Sequence, residues 1–293
     1  MDKEKAIKEL LDDKNYYGDF GSKYLSNSDI IYLLKNPTQF KVPIEKSKPL
    51  IEGGYFHTCM LEPEKKDNFK IIDCASRSTK VYKEALIEHN EEIMLLQKEA
   101  DYIHQMVDKM KGTMEMYDYI YADNNKFEQP MVDIIMGNWW KAKADIIHDD
   151  FVIDLKTTSD LDKFQYSCRS YNYDSQAYIY QRMFGKPMLF FVICKATMRL
   201  GIFDCSPEFI KSGQNKVEQA TEVYNKFLVM RQLVIYIPIY TNKLYKFVKA
   251  KLKKKRTHFS LEVPLEMDDV QGYEECVAKT IKLMEHNIKI KNK

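Results

Sequence analysis

The chain has 293 residues, a net charge of +2 and 45% hydrophobic residues, with glycine and proline sparse and scattered. No linker, repeat or low-complexity tract is visible, so the composition indicates one soluble globular domain over 1–293. The longest apolar runs, 188–194 and 233–240, are far too short to cross a bilayer, which excludes an integral membrane protein. The charged N-terminus has no signal-peptide core, and we therefore expect a cytoplasmic protein.

The six cysteines contain no C-x₂-C pair. In a chain of this size, their spacing argues against a zinc ribbon or a disulfide framework. We expect reduced thiols that pack mostly as small hydrophobic side chains.

The N-terminal part, about 1–125, is predicted to be a helical elaboration. Helices are predicted near 2–13, 27–36, 50–61 and 78–111. Ser26 or Ser28 caps the second helix, and Asn36-Pro37 ends it. The long fourth helix is predicted from one apolar stripe, typical of core packing, formed by Leu86, Ile93, Leu96, Ala100, Ile103, Met106 and Met110.

The middle of the chain alternates strand and helix patterns. Strands are predicted near 127–135, 139–147, 151–156, 188–195 and 198–204. Helices are predicted at 174–184 and at about 207–230, and the apolar run 233–240 is predicted to be a further buried strand. These elements indicate an α/β protein in which helices flank a small mixed sheet.

The segment 143–158 places two carboxylates and a lysine on consecutive short strands. His148-Asp149-Asp150 is a polar break between apolar runs and predicts a β-hairpin. Asp154 and Lys156 then share one face, and Asp145 lies beside Asp154 if the hairpin closes in register. Adjacent carboxylates repel without a cation, so the pair indicates a divalent metal, Mg²⁺ or Mn²⁺. The alternative is a surface hairpin whose charges are solvated.

Gln176 and Tyr180 lie four residues apart on the following predicted helix and therefore share one of its faces. In this order, Ala144-Asp145, the segment 153–158 and the segment 173–180 resemble the PD-(D/E)XK nucleases. Among these, the chain is most similar to RecE-like and lambda-exonuclease-like recombination exonucleases. The resemblance covers about 20–230 and implies a restriction-endonuclease-like core.

The resemblance implies roles for individual residues. Asp145, Asp154 and the Leu155 backbone carbonyl hold Mg²⁺, Lys156 orients the attacking water, and Gln176 and Tyr180 position the phosphate or that water.

Two further residues are candidate metal ligands, and each has a structural alternative. The segment 53–63 resembles the family's histidine-bearing helix, so His57 is either a metal ligand or a hydrogen-bonded core residue. Glu128 is either a further acidic group near the metal or a partner in a surface ion pair.

A segment near the C-terminus concentrates positive charge. Residues 243–256 hold eight basic residues and no acidic one, which indicates either a phosphate-tracking surface or a solvated helix. The DNA-binding residues predicted here and in the loop after Lys156 are Lys251, Lys253, Lys254, Lys255, Lys163 and Arg169. Of Trp139-Trp140, one ring is expected in the core, and the other is either packed or free to stack on a base.

The function that the resemblance implies is Mg²⁺-dependent 5′-to-3′ digestion of double-stranded DNA ends, which generates 3′ single strands for phage or prophage recombination. It also implies a single-strand annealing recombinase as partner, a closed trimer or tetramer, and a bacterial host cytoplasm. A monomer, a DNA endonuclease of the same superfamily and a catalytically idle DNA-binding module remain alternatives. The basic C-terminal extension is placed at about 231–293.

Overall fold

The computed structural model describes the backbone of residues 2–240 and the side chains of residues 2–226. The chain divides into two compact units, Met1–Glu218 and Gln219–Lys293. The first unit holds both sheets and every side chain whose contacts are described below. Within the described part of the second, the chain continues the helix that begins at Pro207.

Eleven α-helices are present in the described residues. They are α1 (Lys3–Leu10), α2 (Asp13–Tyr17), α3 (Asp19–Ser22), α4 (Asn27–Lys35), α5 (Lys48–Leu61), α6 (Lys80–His89), α7 (Gln97–Lys111), α8 (Met114–Ile120), α9 (Phe164–Ser167), α10 (Tyr173–Phe184) and α11 (Pro207–Tyr240). None of them is long and apolar enough to cross a membrane.

Seven strands form two sheets in the described part of the chain. They are β1 (Ile71–Ile72), β2 (Leu95–Leu96), β3 (Lys126–Ile135), β4 (Asn138–Ile147), β5 (Val152–Thr158), β6 (Met188–Cys194) and β7 (Leu200–Phe203). The first two pair in parallel, and the other five form one sheet in the order β3-β4-β5-β6-β7. Only β5 and β6 run parallel in that sheet. The predicted small mixed sheet flanked by helices is confirmed.

Alternation along the central strands separates a core face from a polar face. Ile153 and Leu155 of β5 lie in the largest described apolar cluster, with side chains of α5 and α7. The opposite face is covered by α10, which packs across β3, β4, β5 and β6. Asp154 and Lys156 alternate with these two apolar residues and therefore face α10. A tight turn joins β3 to β4, and its residues Met136 and Gly137 both adopt the positive φ that such a turn requires.

The predicted helix 78–111 is interrupted, because it forms two helices, α6 and α7, separated by residues 90–96. The chain leaves α6 at Asn90, which is left-handed (φ 51°), and Leu95 and Leu96 pair with Ile71 and Ile72 instead of joining a helix. The apolar spacing across 86–96 matches a helical stripe by coincidence. The stripe is correct from Ala100 onward, where its residues are buried on α7.

Two other predictions differ from the structure. The apolar run 233–240 is the end of α11 and not a strand. A short apolar run has no periodicity that separates a buried strand from a buried helix. The single helix predicted at 2–13 is divided, because Asp12 caps a second helix by accepting a hydrogen bond from the Lys14 amide.

The start of α7 is held by a buried carboxylate. Glu99 accepts hydrogen bonds from both terminal nitrogens of Arg77 (2.6 and 2.7 Å) and from the Leu96 amide (3.0 Å). Burial opposes ionisation, but these donors outweigh it and lower the pKa of Glu99 to about 2. A carboxyl group with a depressed pKa stabilises the fold only while it is ionised.

We therefore expect Glu99→Gln to destabilise the protein at neutral pH by about 3 kcal/mol, the value that corresponds to lowering this pKa from 4.5 to about 2. The difference from the wild type should be full above pH 4.5 and should vanish as the pH falls through 2. Urea unfolding followed by circular dichroism at several pH values measures it. Glu88→Gln on the exposed side of α6 is the control, and an equal loss in that variant would contradict the assignment.

Candidate active site

The strands β4 and β5 separate beside two carboxylates. Their ladder consists of two residue pairs, formed between 146–147 and 152–153. The next position on each strand carries Asp145 or Asp154, and there the Leu155 amide donates to Oδ2 of Asp145 (2.8 Å). A side chain thus takes over a main-chain donor, and both carboxylates are buried where the strands separate, Asp154 being 1% exposed. The predicted hairpin and the proximity of its two aspartates are both present.

A histidine and two carboxylates converge at this point. His57 on α5, Glu128 on β3 and Asp145 on β4 each offer a ligand atom, and these atoms lie within 4.8 Å of one another. The His57 Nδ1 atom is 3.2 Å from Oδ2 of Asp145. Of the two alternatives for each residue, the structure places His57 against a carboxylate and Glu128 inside the cluster.

The backbone at Glu128 is unusual for a residue in a strand. The ladder pairs Phe127 with Ile146 and Gln129 with Ala144, so that Glu128 stands opposite Asp145. Its φ of 50° interrupts the pairing there. A glutamate at positive φ is strained, and such strain is typical of functional positions.

Burial and neighbouring charges shift the pKa values of all three residues of the cluster. Burial and the nearby Asp145 carboxylate raise the pKa of Glu128 to about 7, against the opposing effect of Lys143. Burial would raise the pKa of Asp145 as well, but His57 and Lys156 lower it overall. For His57, burial lowers the pKa, and Asp145 more than reverses that effect.

Asp154 and Lys156 form a buried ion pair on the α10 side of β5. The Lys156 ammonium contacts Oδ2 of Asp154, and the Gln176 amide donates to Oδ1 of Asp154 (2.5 Å). Burial raises the pKa of Asp154 to about 6, partly countered by Lys156. The predicted common face of Asp154 and Lys156 is confirmed, and Gln176 reaches the same carboxylate. Asp154 itself lies outside the three-residue cluster.

Tyr180 is placed one turn further along α10. It is 8% exposed, and its hydroxyl donates to the backbone carbonyl of Lys143 (2.9 Å). In this arrangement the tyrosine ties α10 to β4. Its hydroxyl is directed at the backbone of the strand that carries Asp145.

One buried network has no counterpart in the sequence analysis. Lys143 contacts Oε2 of Glu128 (3.0 Å) and Oδ1 of Asp13 (2.6 Å), and Lys65 contacts Oδ2 of Asp13 (2.9 Å). Burial disfavours the charge on Lys143, but Glu128 and Asp13 raise its pKa overall. Lys143 therefore holds Glu128 through an ion pair. Alternation along β4 was the available signal for Lys143, because it shares a face with Asp145. No local signal existed for Asp13.

The remaining predicted residues lie elsewhere. Lys163 is largely exposed and pairs with Asp160 (3.2 Å), and Arg169 is exposed with its guanidinium 5.8 Å from the centre of the Phe209 ring. Trp140 is fully buried as expected for one of the pair, and Trp139 packs against α1 and α2. Lys251, Lys253, Lys254 and Lys255 lie outside the described residues.

The donor set fits a divalent metal. One imidazole and two carboxylates at mutual distances below 4.8 Å match the ligands of Mn²⁺, and the carboxylates match those of Mg²⁺. A cation between Glu128 and Asp145 would offset the repulsion between these two carboxylates, which adds to burial in raising the pKa of Glu128. We identify His57, Glu128 and Asp145 as the residues able to hold such an ion.

The sequence and the fold were compared with known proteins. Residues 23–233 match the family model described as "PDDEXK-like domain of unknown function (DUF3799)". The chain belongs to this family. No curated protein sequence is significantly similar to it. The resemblance to PD-(D/E)XK nucleases is therefore confirmed at the level of the superfamily.

One solved structure shares the fold of this chain. A crystal structure titled "Putative exonuclease" from Eubacterium rectale has a TM-score of 0.55 at 16% identity, covering 73% of this chain and 86% of that one. At this identity the likeness concerns the fold. A protein titled SSO0001 has a TM-score of 0.29 at 13% identity, over 66% of this chain and 85% of that one, which is too low to support an argument.

We expect His57→Ala to weaken Mn²⁺ binding by at least about tenfold, because even the loss of a residue that only orients a metal ligand has an effect of this size. Titration calorimetry without DNA measures the affinity. His89→Ala is the matched control, since His89 is an exposed histidine at the end of α6. Unchanged Mn²⁺ affinity in a folded His57→Ala variant would return His57 to a structural role.

Proposed function

We propose that this protein is a metal-dependent deoxyribonuclease that digests DNA from its ends. The observation that carries the proposal is the convergence of His57, Glu128 and Asp145 in a PDDEXK-like fold beside the buried Asp154–Lys156 pair. Carboxylate ligands, an imidazole and a lysine are the groups that hydrolysis of a phosphodiester requires.

Each residue has a distinct role in this proposal. His57, Glu128 and Asp145 hold Mg²⁺ or Mn²⁺, and Asp154 and the Leu155 carbonyl are the further ligands that the family resemblance implies. A divalent ion bound there supplies Lewis acidity to the scissile phosphate and to the attacking water.

Lys156 supplies positive charge that the protein itself fixes in place. Burial disfavours its charged form, but the Asp154 and Asp145 carboxylates raise its pKa overall, so the ammonium stays protonated. A buried, pre-oriented ammonium stabilises negative charge on phosphoryl oxygens more than a solvated one, because little water screens it. Gln176 keeps Asp154 oriented through the hydrogen bond that its side-chain amide donates. Tyr180 anchors the strand that carries Asp145.

The end dependence of the reaction rests on similarity. The motifs resemble RecE-like and lambda-exonuclease-like enzymes, and the structural neighbour from Eubacterium rectale carries an exonuclease title. We therefore propose 5′-to-3′ digestion of duplex DNA that leaves 3′ single strands for phage or prophage recombination. A recombinase partner, a trimeric or tetrameric ring, and phosphate contacts from Lys163, Arg169 and the basic segment 243–256 belong to the same proposal.

A DNA endonuclease of the same superfamily is the second candidate, because it would use the same metal cluster. The two differ in what they do to DNA without ends. A catalytically idle binding module is disfavoured because Asp145, Asp154 and Lys156 are all present. Lys156 contacts Asp154, and Asp145 accepts a hydrogen bond from the Leu155 amide.

Digestion of three DNA forms separates these functions. We expect Mg²⁺-dependent digestion of linear duplex that releases a 5′ label before a 3′ label, and no cutting of covalently closed circles, because an exonuclease needs an end. Gel electrophoresis of linear, nicked and closed duplex measures this. Asp145→Asn, which replaces a metal ligand without changing its size, should be inactive on all three. Cutting of closed circles would favour the endonuclease.

Lys156→Ala should lower the cleavage rate by at least about 100-fold, because it removes a fixed charge from the phosphate while leaving the metal ligands in place. Mn²⁺ affinity should change little in the same variant. Lys80→Ala, on the exposed surface of α6, is the control for loss of a lysine. A cleavage rate near that of the wild type would exclude Lys156 from the reaction.

A further inference from the structure

The connection between α9 and α10 presents a tyrosine ring to solvent next to the candidate active site. Tyr171 is 65% exposed, and Arg169 two residues earlier is exposed as well. A single exposed aromatic residue needs no special explanation. Its surroundings distinguish this one, because the turn that carries it is unusually well anchored.

Several polar contacts, most of them partly buried, hold the turn. The Lys216 ammonium donates to the Asn172 side chain (3.0 Å), to Asp174 (2.8 Å) and to the Arg169 carbonyl. Asp174 is fully buried and also accepts a hydrogen bond from Ser212 (2.8 Å).

A second set of contacts ties the same turn to α4. The Asn27 amide donates to the Asn172 carbonyl (3.1 Å), and the Ser175 hydroxyl donates to Asn27 (2.7 Å). Asn172 itself is left-handed, with a φ of 60°. A surface turn fixed by this many hydrogen bonds loses little freedom when a ligand binds to it.

A short line of groups connects the exposed ring to the candidate active site. The rings of Tyr171 and Tyr173 have centroids 5.7 Å apart at 33°. The Lys156 ammonium lies 4.8 Å from the centroid of Tyr173. The exposed ring is thus one aromatic neighbour away from the lysine assigned to the scissile phosphate.

We infer that Tyr171 is a stacking site for an unpaired DNA base next to the scissile phosphate, with Arg169 available to a neighbouring phosphate. This inference rests on the proposed function. A base inside a duplex has both faces covered by its neighbours, so the ligand is a single-stranded segment or the opened end of a duplex. Stacking on tyrosine does not depend on base identity, because every base has a π-face.

Binding without cleavage tests the site directly. Fluorescence anisotropy in EDTA measures the affinity for a short labelled single-stranded DNA and for the same strand with abasic positions. We expect Tyr171→Ala to weaken binding to the normal strand by about tenfold. Tyr171→Phe should bind like the wild type, because it keeps the ring. On the abasic strand, Tyr171→Ala and the wild type should bind alike.

A matched control exists on another face of the molecule. Tyr117 is 48% exposed and pairs with Tyr121 at 4.9 Å, so Tyr117→Ala removes the same kind of ring away from the candidate site. Its affinity should equal that of the wild type. Equal binding by Tyr171→Ala and the wild type, or a loss that persists on the abasic strand, would overturn the stacking site.

The digestion assay separates this failure from failure of the proposed function. If the wild type digests DNA and Tyr171→Ala binds normally, only the stacking site is rejected. If the wild type neither binds nor cuts DNA with Mg²⁺ or Mn²⁺ present, the nuclease and the stacking site are both rejected. Circular dichroism of each variant shows that any loss of binding occurs in folded protein.

Discussion

The separation of β4 and β5 is the constraint on which the candidate site depends. After two residue pairs the ladder ends, and the Asp145 carboxylate accepts the Leu155 amide that follows Asp154. This exchange buries two carboxylates where main-chain pairing would otherwise continue. Burying like charges together is unfavourable, and three elements supply compensating groups. His57 comes from α5, Lys156 from β5 itself, and the Gln176 amide from α10.

The N-terminal helices contribute to the same balance of charge. Lys143 is buried between Glu128 and Asp13, and Asp13 lies at the start of α2. The helical elaboration is therefore coupled to the site through an ion pair that holds Glu128. Removing one partner of a buried pair leaves an uncompensated charge, which makes the cluster sensitive to residues far away in sequence. The metal candidates, the lysine and the N-terminal helices behave as one electrostatic unit.

Short-range patterns predicted most of the sheet and part of the site. The polar break at 148–150, the alternation that puts Asp154 and Lys156 on one face, and the four-residue spacing of Gln176 and Tyr180 are all local, and the structure contains each of them. The failures were local ambiguities. The run 86–96 has helical spacing yet forms a helix end and a strand. Asn90 ends α6, and Leu95 pairs with Ile71 in a parallel sheet. The run 233–240 is apolar throughout and carries no period that identifies it as helix.

The sequence by itself predicted the superfamily and the strand that carries Asp154 and Lys156, because both depend on residues within about 35 positions of one another. Only the tertiary structure decided which groups meet Asp145. His57 and Asp13 come from distant parts of the chain and Glu128 from the neighbouring strand. Their approach depends on how α2 and α5 pack on the sheet and on how β3 pairs with β4. The structure also showed that Asp154 is engaged by Lys156 and Gln176, and that Tyr171 stands exposed beside Tyr173. Periodicity specifies the face of an element on which a side chain lies, whereas the neighbour on that face is set by packing between elements.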